Sequence, residues 1–259
     1  MIQKVIALTE TGLYRPQNQD AVLAVYTEHV GLFAVADGMG GHYGGERASQ
    51  TAVESLEIWW NEIRNCALSL SFTEIIADLE RKIKEINKDI FQMYHDIGQI
   101  GGTTLCLLFV YNNSYAVLNV GDSRLYRCQG WTCTQMTRDD TWENQAHILG
   151  SIDMETIRNN MSCGKLVRAL GVKKELELSV HTGVLKKRTR FALCSDGIYK
   201  YCDKAYLSLQ LKSFLWRKDI DRTVRRIRGR VYENGAEDNL SIIVVSATAD
   251  KKRENQWQL

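Results

Sequence analysis

The chain is short of proline. Pro16 is the only one in 259 residues, and no serine- or glycine-rich linker, low-complexity tract or internal repeat interrupts the sequence. With no seat for a hinge, the economical reading is a single domain over residues 1–248 and a tail over 249–259. Histidine is scarce too, with five in the chain, and no Cys-x-x-Cys pair occurs among the cysteines at 66, 106, 128, 133, 163, 194 and 202. A zinc knuckle and a dithiol redox motif are therefore not suggested. Cys106 and Cys194 lie inside apolar runs and read as small core residues, a usage that suits a reducing cytoplasm. No window reaches the roughly 18 apolar residues of a membrane helix. The segment Met1–Glu10 has too short an apolar run for a signal peptide, so a cytoplasmic protein with no membrane partner is expected. A net charge of +2 gives no reason to expect nucleic acid, and Arg222, Arg225, Arg226, Arg228 and Arg230 read as a solvated helix face.

What the chain does have is carboxylates at the ends of apolar runs. Leu32–Ala36 leads into Asp37-Gly-Met-Gly-Gly, Tyr115–Val120 into Gly121-Asp122, and Arg190–Cys194 into Ser195-Asp196-Gly197. Asp238-Asn239 instead precedes Leu240–Val245, and Asp20 follows Arg15-Pro-Gln-Asn-Gln. This placement sets the acids on the rims of buried strands, where several can converge. Unpaired buried carboxylates repel one another and lose hydration, so a convergent cluster needs a cation. An oxygen-only donor set favours a hard ion, Mg²⁺ or Mn²⁺, over zinc. The glycines after Asp37 let the backbone turn sharply enough to offer a carbonyl as well. Taken alone, that stretch reads equally as a glycine-rich turn whose Asp caps a helix.

Hydrophobic residues at 44% and charged residues at 25% are ordinary for a folded protein of this length. Period-2 and apolar runs predict strands near 3–9, 21–26, 31–36, 103–111, 114–120, 124–128, 176–182, 189–195 and 240–247. Apolar residues spaced by three and four predict helices over 45–67 and 71–95, with Ser71 and Glu74 as a capping box on the second, and another near 218–233. Short helices are expected over 140–149 and 153–160, within a polar stretch at 136–166 that reads as a flap-like insertion. Strands first, then helices, then many strands argue for an α+β fold with sheets between helical layers.

The ordered motifs carry a family resemblance. Thr11-Gly-x-x-Arg15-x-x-Asn-Gln-Asp20 comes first, then Val35-Ala-Asp-Gly-Met-Gly-Gly-His42 and Gly101-Gly-Thr-Thr104. Asn119-Val-Gly-Asp-Ser-Arg124, Leu166-Val-Arg-Ala-Leu-Gly171, Cys194-Ser-Asp-Gly197 and Asp238-Asn-Leu-Ser241 follow in order. Together they resemble the metal-dependent Ser/Thr protein phosphatases of the protein phosphatase 2C (PPM) family, in particular its compact bacterial members. The resemblance implies a four-layer αββα sandwich, with two antiparallel sheets flanked by helices, and a centre of two Mn²⁺ or Mg²⁺ ions. Carried over by position, Asp37 would bridge both ions and Gly38 would lend a carbonyl. Asp196 and Asp238 would hold one ion, and Asp20 would orient waters on the other. Asp122 matches a third, weaker site, with a turn-fixing role beside Arg124 as the alternative. Arg15 matches the phosphate-binding arginine, whose planar fork suits two phosphoryl oxygens.

The implied reaction is hydrolysis of phosphoserine and phosphothreonine by a metal-activated water, on the targets of a bacterial Ser/Thr kinase, by a monomer. No cysteine nucleophile is required. The chain departs from the family pattern at Gln19, where an acid is common, which lowers the charge offered to one ion. Met39 stands where eukaryotic relatives carry a His, and His42, three residues on, is a candidate general acid or a helix-start packing residue. A catalytically silent phosphoprotein-binding relative is the alternative from another class. A two-metal nuclease would explain the acids but not the ordered motifs.

Overall fold

The computed structural model describes residues 1–40, 44–64, 70–149, 156, 160–212 and 219–250. Its strands form two antiparallel sheets. In the first, the order is β1 (Ile2–Glu10), β11 (Leu240–Ala247), β10 (Thr189–Cys194), β7 (Arg124–Gln129) and β8 (Thr132–Gln135). In the second it is β2 (Asp20–Tyr26), β3 (Val30–Gly40), β5 (Leu105–Tyr111), β6 (Ser114–Val120) and β9 (Ser179–Val184), with β4 (Gly101–Thr103) paired to the far end of β3.

Three apolar layers hold these sheets and their helices together. Phe33, Val35, Cys106, Leu108, Phe191, Leu193, Ile243 and Val245 interleave between the sheets. The alternate residues of the same strands face outward, as the two-residue period of a strand requires. Leu32, Ala34, Leu107 and Phe109 meet α1 (Gly44–Ile63) and α2 (Phe72–His95). Ala192, Ile242 and Val244 meet α4 (Asp196–Tyr199), α5 (Lys204–Lys212) and α6 (Ile220–Glu233). The result is the expected αββα sandwich. Because both faces of the central strands are covered, β5 is buried along its whole length and reads as a continuous apolar run.

The helix predictions on α1, α2 and α6 hold, and Ser71 and Glu74 do form the capping box. Three features differ. The predicted strand over 103–111 is broken at Thr104, whose backbone and hydroxyl both turn to Asp37. The predicted strand over 176–182 pairs only from Ser179, while Leu176 and Leu178 pack on the helix-side core instead. Strand β8 and helix α5, short and weakly patterned, were not predicted. Cys106 and Cys194 are buried free thiols, whereas Cys128 and Cys133 stand opposite one another across the β7–β8 hairpin and are disulfide-bonded, with Cα atoms 4.0 Å apart. In the polar stretch, α3 (Trp142–Leu149) is present, and most of the predicted helix over 153–160 lies outside the described residues. Among the described residues no helix is long and apolar enough to cross a membrane.

Candidate active site

Four strand ends bring the carboxylates together. Asp20 opens β2 directly opposite Asp37 on β3, Asp196 follows β10, and Asp238 precedes β11. The two sheets are laced there by side chains. Ser195 Oγ donates to Asp20 Oδ2 at 2.7 Å and accepts from the Ser241 amide at 3.0 Å. Asn239 Oδ1 accepts from the Gln19 amide at 2.8 Å, while its Nδ2 donates to the carbonyls of Thr11 and Gln17. The loop bearing Arg15 is thereby fixed against the strand bearing Asp238.

Asp37 is held by its backbone. Its N–H donates to Thr104 Oγ1 at 3.0 Å, and its carbonyl accepts from the Thr104 amide and Thr103 Oγ1. Thr104 in turn shares a 2.7 Å hydrogen bond with Ser123 Oγ, beside Asp122. The glycines after Asp37 and Asp196 are needed for close approach. A Cβ on Gly38 would lie 2.1 Å from the Gly45 carbonyl oxygen, and one on Gly197 would lie 1.9 Å from that of Asn239.

The acids are electrostatically unsettled. Burial pushes the Asp37 carboxyl well above the ordinary range, and the fields of Asp20, Asp196, Asp122 and Asp238 push it further. Asp20 is raised to about 7, first by burial and then by Asp196 and Asp238, against the lowering effect of the Ser241 and Ser195 hydroxyls. Asp122 is raised to about 6, by burial and then by Asp196. Three raised carboxyls lying in the field of Asp196, two of them also in that of Asp238, form a site that wants positive charge.

Two side chains supply some of it. Arg15 meets Asp238 bidentately, Nε to Oδ1 at 2.8 Å and Nη2 to Oδ2 at 2.9 Å. Lys200 Nζ reaches Asp196 Oδ2 at 2.5 Å. Among the described residues no three acidic, imidazole or thiol groups close around one point. Two of the carboxylates are instead paired with these cations. On the other flank, Tyr199 donates to Asp122 Oδ2 at 3.2 Å, and Arg124 lies 3.5 Å over the Tyr199 ring while bonding Asp139 through two nitrogens. A cavity of about 720 Å³ on the α3 side, walled by Asp140, Asn144, Arg168 and Leu176, receives none of the cluster carboxylates.

Of the sequence-predicted residues, Arg15, Asp20, Asp37, Gly38, Asp122, Asp196 and Asp238 are gathered at this cleft. His42 lies outside the described residues. Sequence reasoning gave no role to Thr104, Tyr199 or Lys200, and passed over Asn239. Thr104 and Asn239 stand inside quoted motifs, which was the available signal; for Lys200 the signal was its spacing of four from Asp196.

The fold and this carboxylate-lined cleft define a protein serine/threonine phosphatase, a hydrolase of phosphoric monoesters. The chain belongs to the protein phosphatase 2C family: the profile described as Protein phosphatase 2C matches residues 16–242. The chain is similar to serine/threonine phosphatase stp of Listeria welshimeri, at 30% identity over 248 residues, covering 94% of this chain and 96% of that protein. It is 26% identical to protein phosphatase PhpP of Streptococcus pneumoniae, over 94% of this chain and 97% of the relative. Among solved structures, the catalytic domain of serine threonine protein phosphatase PstP in complex with 2 manganese ions superposes with a TM-score of 0.77, at 25% identity, over 96% of this chain and 99% of that one.

Proposed function

We propose that this phosphatase is metal-dependent, with Mn²⁺ or Mg²⁺ held by Asp37, Asp196 and Asp238, waters oriented by Asp20, and a carbonyl lent by Gly38. The observation that carries the reading is that Asp20 and Asp37 stand opposite one another in the β2–β3 ladder, both raised first by burial and Asp37 further by the field of Asp20, a strain that divalent cations beside them would relieve. The donor set is all oxygen, which fits a hard cation. When bound, two such ions would supply a water of lowered pKa and would offset charge on the phosphoryl group.

The protein's own residues do the rest. Arg15 presents a planar fork beside the acids, and once Asp238 is otherwise neutralised that fork is available to two phosphoryl oxygens. Thr103 and Thr104 hold the Asp37 backbone, which fixes the point on β3 from which its carboxylate projects. Asn239 holds the Arg15 loop at a fixed distance from Asp238. His42 is kept as a candidate proton donor to the leaving alkoxide.

Residues 1–248 would form one catalytic unit, with 136–166 as a flap at the cleft's side. The substrates would be proteins phosphorylated by a bacterial Ser/Thr kinase, and the enzyme a cytoplasmic monomer. The silent-relative reading is not favoured, since the relatives that align over nearly the whole chain are named phosphatases and Arg15 and the acids are retained. The test is turnover of a phosphothreonine peptide by chelator-stripped protein before and after Mn²⁺ is added. Activity that appears only with metal supports the reading. Equal activity in chelator, or none with bound Mn²⁺, refutes it.

A further inference from the structure

Asp122 and Asp196 are each engaged by a donor from the same short helix. Helix α4 begins at Asp196 and ends by delivering two donors to this pair. Tyr199 donates its phenol to Asp122 Oδ2 at 3.2 Å, and Lys200, one helical turn beyond Asp196, places its ammonium 2.5 Å from Asp196 Oδ2. The same ammonium lies in the fields of Asp122 and Asp238. Arg124, stacked on Tyr199 and anchored by Asp139, fixes the phenol in place.

We infer that the Lys200 ammonium takes the place of a third divalent cation between Asp122 and Asp196, so that this enzyme binds two metal ions and not three. The inference rests on the two-ion reading proposed above.

Lys200 differs from Arg15 in a way that matters here. Arg15 engages both oxygens of Asp238, so an ion bound there competes with it at each. Lys200 occupies only Oδ2 of Asp196, and among the described residues no hydrogen bond reaches Oδ1. Asp196 can thus serve an ion through Oδ1 while keeping its lysine. A divalent ion entering between Asp122 and Asp196 would meet a resident positive charge and a carboxylate oxygen already hydrogen-bonded to Tyr199. Asp122 then acts by orienting Tyr199 rather than by ligating metal.

The test is metal stoichiometry, by equilibrium dialysis of full-length, chelator-stripped protein against millimolar Mn²⁺ with elemental analysis. Circular dichroism checks that each variant is folded, and Lys200 is exposed enough for substitution to be tolerated. Wild type and Lys200→Arg should retain two Mn²⁺ per chain; Lys200→Asp should retain three, and Lys200→Ala a third that is lost at lower Mn²⁺. Three ions on wild type would overturn the inference. So would a stoichiometry of two that no Lys200 substitution changes. Fewer than two on wild type would instead overturn the two-ion reading, and this inference with it.

Discussion

Asp20 and Asp37 sit directly opposite one another in the antiparallel pair β2–β3, two like charges on facing positions of a buried ladder. Directly opposed like charges destabilise a sheet, and more so where water is excluded. The pair is therefore a cost to the fold that its ligand offsets, which makes stability itself a readout of the site.

The substitution Asp37→Asn separates the two roles. With metal absent, it removes one member of the repulsive set and should raise the melting temperature, by about 2–4 °C for each ~1 kcal/mol relieved. The amide cannot replace the anion on a cation, so turnover should fall by at least ~100-fold, beyond what loss of an outer-shell partner costs. Added Mn²⁺ should no longer stabilise the protein. Thermal melts with and without chelator, beside a peptide assay, check all three; a lowered melting point in chelator would count against the repulsion argument.

Asp20, together with Asp122, sets a pH dependence for the metal-free protein. Asp20 is raised to about 7 and Asp122 to about 6 in the folded state, from ordinary values near 3.8. A carboxyl that holds its proton more tightly folded than unfolded stabilises the fold fully below its unfolded value. That contribution is lost as pH rises through the folded value. In chelator, stability should therefore decline between pH 5 and 7.5, and saturating Mn²⁺ should flatten the decline. Urea midpoints at the two pH values measure it, and a metal-free stability that climbs over that interval would contradict it.

Arg15 has two partners in prospect and can serve one at a time. Its bidentate hold on Asp238 competes with metal, while its fork is wanted by the phosphate. Arg15→Ala should thus ease Mn²⁺ binding but lower kcat/KM on a phosphothreonine peptide by about 10–100-fold, the loss of a charge-assisted contact of ~1.5–3 kcal/mol. Lys in its place keeps charge without the fork and should recover only part of the activity. Calorimetric Mn²⁺ titration and steady-state kinetics resolve the two effects, and weaker metal binding in Arg15→Ala would remove the competition from the account.

Much of this is legible in the sequence alone. The acids could be found because each stands at the end of an apolar run, and run ends are where a buried strand meets solvent. The large helices could be found because 14 to 24 residues are enough for a period to declare itself. What stayed hidden was anything that depends on convergence. Thr104 interrupts a strand only because Asp37 stands across from it. Tyr199 and Lys200 look like ordinary residues after an Asp-Gly turn until Asp122, nearly eighty residues earlier in the sequence, is placed beside them. The Cys128–Cys133 pair follows from a hairpin register that the weak pattern of β8 did not announce.

Two glycines in the C-terminal part make a controlled comparison. Gly197 follows a cluster acid, and a methyl group added there would come within 1.9 Å of the Asn239 carbonyl oxygen and 2.9 Å of its carbon. Backbone cannot yield as a flexible side chain can, so either α4 or the start of β11 must shift. Both carry the site, through Asp196 on one side and Asp238 on the other. Gly197→Ala should cost about 3 kcal/mol or more and depress Mn²⁺ binding with it. Gly229 lies within helix α6 with no atom inside 4 Å of the added carbon. There alanine meets no clash and narrows the unfolded ensemble, so Gly229→Ala should gain about 0.5–1 kcal/mol with activity unchanged. Denaturant midpoints for the two variants should therefore move in opposite directions, and a Gly197→Ala protein as stable and as active as wild type would mean that the cleft is far looser than the packing around Asp196 implies.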